Sequence, residues 1–399
     1  MASIQWQEDP FWNPTPTSRL TPFTAQTAEQ ILTYHRSWPH YQKTPLWRLE
    51  GQARALGLRD IWIKDESYRW GLRAFKGLGG TYAVGRCLAR QLGLEGIPPY
   101  AVLTNRLAGR PPVTFATATD GNHGVGVAWA AAKLGQQAHV FLPRGSTAAR
   151  LNAVTRAGGQ VHASDLGYDD LVEWVALESL RQGWTLVQDT AWDGYTEIPM
   201  WIMQGYLTSM AEEFLAPQAE LAPTHVFLQA GVGSFAAAIT AFLANVFGPA
   251  MPRIILMEPH SAACFYRTAR SGEATLQSAT GPINTVMAGL ACGVGNPIAW
   301  DILRPWVSAF VSLGDSVTEH GIRVLAQPCG SDPAITSGES GAVGMGMLSL
   351  IAQDPHYAQM REAVGLDAGS RVFLISTEGA TDSDIYRRRV PEGPLPPVP

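Results

Sequence analysis

Short apolar runs alternate with helix-like segments along most of this chain, and this alternation is what most restricts its fold. The apolar runs end near Lys64, Thr119, Leu142, Ala163, Gln188, Gln229, Met257, Ser312 and Ser376. Helical patterns lie between most of them, for example over residues 148–157, 168–181, 197–214 and 234–247. Strands that alternate with helices are typical of mostly parallel, doubly wound sheets. The order of the elements therefore predicts an α/β fold.

The length of the chain, 399 residues, favours two such sheets over one, with the active site in a cleft between a large and a small domain. We expect a discontinuous large domain from residues 1–80 and 205–399, and a small domain from residues 81–204. Residues 1 to about 45 are rich in Pro, Thr and Trp and are predicted to form an arm on the large domain.

Composition and charge exclude several classes of protein. The net charge of -5 provides no basic surface for nucleic acid,. Apolar stretches such as residues 235–247 fall short of the roughly 20 residues that span a membrane, and no signal sequence is visible,. The four cysteines show no metal or disulfide spacing, which favours the cytoplasm,. The sequence leaves open whether Cys264 and Cys292 form a disulfide.

A tight turn of polar residues separates the apolar run 113–119 from the Ala-rich segment 125–134; its sequence is Asp120-Gly121-Asn122-His123-Gly124. This pattern predicts a strand, a glycine turn and a helix, with polar side chains at the helix N-terminus. Such a turn suits an anionic or polar ligand. Asp120 is an unusual residue there, because a carboxylate would lie where helix amides already gather.

Three other residues carry a simple and a functional interpretation. Lys76 lies between Phe75 and a glycine-rich stretch; it is a surface lysine or a Schiff-base lysine, whose amine must be partly desolvated. Thr377 follows the last apolar run and either caps a turn or hydrogen-bonds a pyridine nitrogen. Asp189 also ends an apolar run, and it is either a helix cap or a second carboxylate in the cleft.

A glycine loop follows the run that ends at Gln229, and a helix begins directly after it; the loop is Gly231-Val232-Gly233-Ser234. Glycines let backbone amides converge on a phosphate, and the helix N-terminus adds partial positive charge. The loop lacks the Walker lysine-serine pair and the full dinucleotide fingerprint. These features favour a phosphorylated coenzyme over ATP or NAD. Glu339, in the segment 337–342, is either part of a helix cap or an acid near the coenzyme.

Taken together and in this order, the motifs resemble those of the fold-type II pyridoxal-phosphate enzymes, which include serine and threonine dehydratases and tryptophan synthase β chains. The resemblance spans residues from about 45 to 385. The dehydratases have a serine where this chain has Asp120. This chain is similar to the diaminopropionate ammonia-lyase family in having Asp120 at that position. The glycine loop and the segments 285–293 and 376–382 are also similar to that family.

This resemblance implies specific roles. Lys76 would carry the covalent link to pyridoxal 5'-phosphate, with Phe75 beside the coenzyme ring. Asn122 would contact the ring hydroxyl and Thr377 the pyridine nitrogen. The phosphate would bind to Gly231, Val232, Gly233 and Ser234. The resemblance also suggests a homodimer, and a monovalent-cation site near Glu339.

The leaving group distinguishes the two candidate activities. A β-amine arrives as an ammonium ion, and burying that cation without a carboxylate costs several kcal/mol. Asp120 and Asp189 can supply the charge, so β-elimination from 2,3-diaminopropionate is the predicted reaction. We predict Lys76, Asp120 and Asp189 as catalytic residues. Substrate-binding residues are predicted to be Asp120, Gly121, His123 and Asp189.

The isomer preference stays open in the sequence. The α-protons of the D- and L-isomers lie on opposite faces of the bound substrate. We predict that Asp120 serves the D-isomer and that Asp189 assists with the L-isomer, directly or through Lys76. A serine or threonine dehydratase is the first alternative. A non-catalytic coenzyme-binding regulator is a more distant one, since such a protein would be expected to lose the lysine or the acids.

Overall fold

The structure, a computed structural model, describes residues 3–216 and 221–390. In that part of the chain the strands are β1 (Ile4–Glu8), β2 (Leu46–Arg48), β3 (Asp60–Asp65), β4 (Thr114–Ala118), β5 (Gln137–Leu142), β6 (Gln160–Ala163), β7 (Thr185–Leu186), β8 (His225–Gln229), β9 (Arg253–Pro259), β10 (Val307–Leu313) and β11 (Arg371–Ser376).

The α-helices of the same described residues are α1 (Ala25–Arg36), α2 (Glu50–Ala55), α3 (Lys76–Gln91), α4 (Tyr100–Leu107), α5 (Asn122–Lys133), α6 (Ala148–Arg156), α7 (Tyr168–Gln182), α8 (Glu197–Gly205), α9 (Thr208–Phe214), α10 (Ser234–Phe247), α11 (Cys264–Ser271), α12 (Pro297–Leu303), α13 (Asp315–Ala326), α14 (Val343–Gln353), α15 (Ala358–Ala363) and α16 (Ser383–Arg389).

Two sheets form from these strands. The larger has the order β1-β10-β9-β8-β11-β3-β2, and the smaller has the order β6-β5-β4-β7. All pairs are parallel except those of the edge strands β1 and β2, which are antiparallel. The predicted α/β class with mostly parallel sheets is therefore confirmed.

The chain divides into two compact units, each built around one sheet. The first unit comprises the described residues within 1–20, 44–68 and 218–399, and the second those within 21–43 and 69–217. The predicted large domain includes residues 21–43, 69–80 and 205–216, but the structure groups these residues with the smaller sheet. The reason is helix packing, because α3 contacts α5 and α8, and α1 contacts α9.

Each sheet reverses its winding at one point. In the larger sheet β8, β9 and β10 extend in one direction, while β11 lies on the other side of β8. In the smaller sheet β4, β5 and β6 extend in one direction, and β7 lies on the other side of β4. Ligands of doubly wound sheets bind at such reversal points, beyond the carboxyl ends of the strands. Ligand-binding residues are therefore expected after β8 and β11 in the first unit, and after β4 and β7 in the second.

Apolar burial holds the strands that carry the site. All five residues of β8 are buried, and α10 buries its residues from Ser234 to Ala244. A fully buried central strand cannot shift its register without exposing apolar side chains, so the loop that follows it is held firmly. Among the described residues, the structure has no helix long and apolar enough to cross a membrane.

Candidate active site

The turn after β4 is held by Thr119, the residue that precedes Asp120. The Thr119 hydroxyl oxygen accepts hydrogen bonds from the backbone N–H groups of Gly121, at 3.0 Å, and Gly124, at 3.1 Å. These bonds satisfy donors at the start of α5 in the manner of a helix cap. Asn122 is thereby fixed as the first residue of the helix, and Asp120 lies half-buried on the turn.

Gln188 joins the ends of β4 and β7. Its side-chain carbonyl accepts hydrogen bonds from the Ala118 backbone N–H, at 3.1 Å, and from the Thr117 hydroxyl, at 3.2 Å. The next residue, Asp189, is only 3% exposed, and its Oδ2 accepts a hydrogen bond from Nζ of Lys76. Asp189 is therefore a buried carboxylate paired with the candidate Schiff-base lysine.

Lys76 is the first residue of α3, and that helix packs very closely on α5. A Cβ atom added to Gly126 of α5 would lie 2.8 Å from the Lys76 carbonyl oxygen, so no other residue fits there without moving α3. Nζ of Lys76 lies 5.6 Å from the centre of the Phe75 ring. The buried Tyr206 contacts Phe75 edge-to-face, with ring centres 4.8 Å apart. Phe75 and Tyr206 thus enclose the lysine.

Asp120 and Asp189 differ in their ionisation. Burial raises the pKa of Asp120 to about 7, although the charge of Arg150 opposes this shift. Burial is the largest single influence on Asp189 and acts to raise its pKa, but the charge and hydrogen bond of Lys76 and the other groups around this carboxyl together outweigh it and hold the pKa below its ordinary value. One carboxyl therefore titrates near neutral pH, while the other stays ionised. Environments that separate the pKa values of two acids are typical of paired catalytic groups.

His123 is a neutral imidazole with a defined tautomer. Its Nε2 lies 2.8 Å from the Val187 carbonyl oxygen, which can only accept, so Nε2 carries the proton. Burial lowers the pKa of His123. Its Nδ1 is buried and has no hydrogen-bond partner among the described residues. Since a buried acceptor without a partner is costly, this nitrogen is suited to a ligand that donates a hydrogen bond.

The glycine loop after β8 has the geometry of a phosphate site. Gly233 has φ +86°, and a Cβ atom there would lie 2.4 Å from the Phe265 ring. A Cβ atom on Gly231 would lie 3.0 Å from the Gly289 carbonyl oxygen. The loop leads directly into α10, a helix of 14 residues. The backbone N–H groups of its first turn, which begins at Ser234, have no partner within the helix. Larger residues would close this cradle.

Asn296 holds the hydroxyl end of the loop. Its side-chain amide donates a hydrogen bond of 2.9 Å to Oγ of Ser234, and its backbone N–H donates to the Val232 carbonyl at 2.8 Å. Asn296 is also the N-cap of α12, with Pro297 following it. An Asn before a Pro is a recognisable helix start, so the sequence itself indicates a helix that begins at this residue.

Thr377 follows β11, the neighbour of β8. Gln229, at the end of β8, determines which way the Thr377 hydroxyl group can donate its proton. The Gln229 side-chain nitrogen lies 3.0 Å from each of the Ser340 and Ile375 carbonyl oxygens, so this end of the amide is the NH₂ group. It also lies 2.9 Å from Oγ1 of Thr377, which must therefore accept. The hydroxyl proton of Thr377 is left to donate to another acceptor.

Glu339 is not an isolated acid. Its Oε1 lies 3.0 Å from Nη1 of Arg389, and this pair is largely buried. Among the described residues, no group of three or more His, Cys, Asp or Glu side chains is arranged to hold a metal ion. A monovalent cation at Glu339 would have to compete with the guanidinium. Cys264 and Cys292, whose pairing the sequence left open, are both free thiols.

The structure thus brings the predicted residues together in two groups. Within one unit, Lys76 pairs with Asp189, and both electrostatically influence Asp120 and His123. Within the other unit, the glycine loop and Thr377 follow adjacent strands. The fit to a phosphorylated pyridine coenzyme is good: the chain provides a covalent attachment point, a phosphate cradle and a neutral donor for a ring nitrogen. Sequence reasoning missed four residues that orient these groups: Gln188, Tyr206, Gln229 and Asn296.

Comparisons with known proteins agree with this geometry. The family model described as "Pyridoxal-phosphate dependent enzyme" matches residues 37–366. The diaminopropionate ammonia-lyase of Escherichia coli (strain K12) is 43% identical over 375 residues, which are 93% of each protein. That of Salmonella typhimurium (strain LT2) is 43% identical over 373 residues, 92% of each.

Solved structures show the same relationship. The E. coli diaminopropionate ammonia-lyase in complex with D-serine superposes with a TM-score of 0.91, at 40% identity and over 98% of both chains. The same enzyme in complex with an aminoacrylate-PLP azomethine reaction intermediate gives a TM-score of 0.88 at 40% identity. A threonine deaminase from Solanum lycopersicum, at 18% identity and a TM-score of 0.70, shares the fold.

The resemblance noted in the sequence is therefore confirmed, and so are the fold-type II architecture and pyridoxal 5'-phosphate as the coenzyme. The family model spans most of the chain, and the E. coli and Salmonella relatives match it over nearly their whole length. The chain belongs to the pyridoxal-phosphate dependent enzymes and, among them, to the diaminopropionate ammonia-lyases.

Proposed function

We propose that this protein eliminates the β-amine of 2,3-diaminopropionate. Loss of the α-proton and of ammonia gives an enamine, and its hydrolysis gives pyruvate and a second ammonia. One molecule of water is consumed, so the atoms balance. The identity to diaminopropionate ammonia-lyases over 93% of the chain supports this reaction. The single observation in the structure that supports it best is the pair of acids, Asp120 and Asp189, in the same unit as Lys76.

We propose that the coenzyme is held by Phe75, Lys76, Asn122, Thr377 and the loop residues Gly231, Val232, Gly233 and Ser234. When bound, pyridoxal 5'-phosphate supplies a covalent link to the substrate amine and takes up the electron pair released with the α-proton. Thr377 would donate its hydroxyl proton to the ring nitrogen without charging it. A neutral partner suits prompt loss of a β-substituent more than a long-lived carbanion.

Charge is what favours an amine over a hydroxyl as the leaving group. The β-ammonium of the substrate is a cation that must enter a largely buried site, and an unpaired buried cation costs several kcal/mol. The Asp120 carboxylate can match this charge, because it forms no ion pair of its own within residues 3–216 and 221–390. Gly121 and the unprotonated Nδ1 of His123 are the further groups that we propose for substrate binding.

The two acids are proposed to take different protons. Asp120, with a pKa of about 7, is half ionised near neutral pH and can accept an α-proton,. Asp189 is held ionised by Lys76, so it is better suited to orient the lysine amine and to receive protons through it. We propose that Asp120 serves the D-isomer, and that Lys76 with Asp189 serves the L-isomer on the opposite face.

The test is steady-state kinetics of pyruvate release from D- and L-diaminopropionate and from D- and L-serine. We expect kcat/KM for diaminopropionate to exceed that for serine by about 100-fold, since the site is built for a charged group. Equal or higher values for serine would indicate a dehydratase instead. A Lys76→Ala variant should release no pyruvate from any of the four compounds. Pyruvate release by that variant would refute the role of Lys76.

We also propose that the protein is a cytoplasmic homodimer. The family resemblance supports the dimer, and the free thiols of all four cysteines are in keeping with a reducing compartment,. Light scattering coupled to size-exclusion chromatography should give about twice the chain mass of 43.1 kDa. A mass that stays at one chain across micromolar concentrations would refute the dimer.

A further inference from the structure

The last described helix, α16, ends in three arginines that have different environments. The side chain of Arg387 is 77% exposed, and Arg388 bonds to the Asp384 carbonyl of its own helix. The side chain of Arg389 is only 17% exposed and reaches two carboxylates. Its Nη1 lies 3.0 Å from Oε1 of Glu339, and its Nε lies 3.5 Å from Oε1 of Glu319. Arg389 is thus the arginine that ties α16 to the rest of its unit.

Glu339 is adjacent to the hydrogen-bond network that orients the Thr377 hydroxyl group. The backbone N–H of Ser340 donates to Oε1 of Glu378 at 2.9 Å. The Ser340 carbonyl accepts from the Gln229 side chain, the same amide that donates to Oγ1 of Thr377. A movement of Glu339 would therefore displace Ser340, and through Gln229 it would displace the Thr377 hydroxyl.

The charges around Glu339 show why Arg389 is needed. Glu339 is 8% exposed, and the Glu319 carboxylate approaches the same guanidinium from α13. The Thr318 hydroxyl of α13 donates to the Glu339 carbonyl. Without Arg389, the carboxylates of Glu339 and Glu319 would lose the guanidinium that contacts both of them. Removing one member of a largely buried ion pair is destabilising, so the segment would move toward solvent.

We propose that Arg389 is a positioning residue for coenzyme binding. Its guanidinium is a counter-ion built into the chain, which neutralises Glu339 and so holds Ser340, Gln229 and the Thr377 hydroxyl in place. This inference rests on the proposed contact of Thr377 with the coenzyme ring. It assigns to Arg389 the role that a bound monovalent cation would have near Glu339.

The experiment compares Arg389→Ala with Arg387→Ala, which removes an exposed arginine of the same helix. The dissociation constant of pyridoxal 5'-phosphate is measured by absorbance titration of coenzyme-free protein, together with kcat. We expect Arg389→Ala to weaken coenzyme binding by about tenfold or more, and Arg387→Ala to leave it within about twofold. Arg389→Ala with wild-type affinity would overturn the proposal.

Two further measurements separate a charge role from a loss of folding. Millimolar guanidinium should restore coenzyme affinity to Arg389→Ala, whereas sodium chloride at the same ionic strength should not. The double variant Arg389→Ala with Glu339→Gln should also bind the coenzyme more tightly than Arg389→Ala, because it has no charge to neutralise. No gain in either measurement would refute the counter-ion role, even if Arg389→Ala is poorly folded.

Failure of this inference can be distinguished from failure of the proposed function. Wild-type protein that releases no pyruvate from diaminopropionate would refute the function, while the coenzyme titration would still test Arg389. Wild-type protein that is active, with an Arg389→Ala variant that binds the coenzyme equally well, would refute only the role of Arg389.

Discussion

The pH dependence of isomer preference tests the roles of the two acids most directly. Burial raises the pKa of Asp120 to about 7, whereas the Lys76 ammonium holds the pKa of Asp189 below its ordinary value. Between pH 6 and 8 in the coenzyme-free protein, therefore, Asp120 gains its negative charge while Asp189 is already ionised. If Asp120 is the base for the D-isomer, the D-reaction should respond to this ionisation more strongly than the L-reaction, in which Asp120 only pairs with the β-ammonium.

The expected size follows from the titration of a single carboxyl. With a pKa of about 7, about one tenth of Asp120 is ionised at pH 6 and about nine tenths at pH 8,. The ratio of kcat/KM for the D-isomer to that for the L-isomer should thus rise by up to about tenfold over this range for a midpoint of about 7. The free Lys76 ammonium lowers the pKa of both acids, and it is lost when the coenzyme is attached to this lysine. The midpoint for Asp120 in the holoenzyme is therefore expected at 7 or above, and the low pKa of Asp189 belongs to the coenzyme-free protein.

The ratio is the right quantity because the substrate also has amines that titrate. Enantiomers have identical pKa values in solution, so the effect of substrate ionisation cancels in the ratio. The remaining pH dependence is that of groups on the enzyme. Pyruvate formation by the holoenzyme is followed at each pH for both isomers. Asp120→Asn should lower the D-rate by at least about 100-fold and abolish the rise. Asp170→Asn, an exposed acid on α7, is the control.

Three results would refute this reasoning. A D-to-L ratio that stays constant from pH 6 to 8 would show that Asp120 does not ionise in the reaction of the D-isomer. Full D-activity in Asp120→Asn would show that another group takes the proton. A parallel loss of D- and L-activity in Asp120→Asn would assign Asp120 to the binding of the ammonium group shared by both isomers.

Three further predictions concern coenzyme binding and stability. Thr377→Val should weaken coenzyme affinity by about fivefold to tenfold, the value of one neutral hydrogen bond, and Thr377→Ser should restore it, as measured by absorbance titration. Gly233→Ala should lower affinity further and reduce the free energy of unfolding by about 1–3 kcal/mol, because of its φ of +86° and the Phe265 contact, whereas Gly272→Ala, with an open site at φ +71°, shows the effect of strain alone,. Burial lowers the pKa of His35 from 6.5 to about 3. Between these pH values His35 is protonated in the unfolded chain but not in the folded one, so the free energy of unfolding should fall as the pH drops through this range. Calorimetry of His35→Asn should show a shallower fall.

The sequence predicted the strands and turns well because each is a local pattern. The nine apolar runs all form strands in the described residues, and the polar turn at Asp120 and the glycine loop at Gly231 follow two of them. The edge strands β1 and β2 were not predicted, because short antiparallel edges lack a continuous apolar run. The predicted helix 197–214 is two helices, α8 and α9, with a break after Gly205. There a Cβ atom would lie 2.6 Å from the Leu78 carbonyl oxygen.

Contacts between distant residues could not be predicted from local patterns. The pairing of Lys76 with Asp189 joins residues 113 positions apart, and that of Arg389 with Glu339 joins residues 50 apart. The grouping of α1 with the smaller sheet also depends on tertiary packing. His35 of α1 hydrogen-bonds to Thr208, at 2.7 Å, and to the Leu78 carbonyl, at 3.1 Å. A periodic pattern shows that a helix has a buried face, but it does not show what covers that face.

The contrast between Asp120 and Asp189 links the sequence difference to a chemical one. A serine at position 120, as in the dehydratases, can exchange a proton but brings no charge to a β-ammonium. A carboxyl paired with Lys76, like that of Asp189, brings a charge that is already matched. Asp120 combines a position at the helix N-terminus with the absence of an ion pair, so its charge is available to the substrate and its pKa lies near neutral pH,. Both properties follow from the burial of a carboxyl that forms no ion pair among the described residues. When it is ionised, Asp120 can therefore either bind the ammonium group or accept a proton.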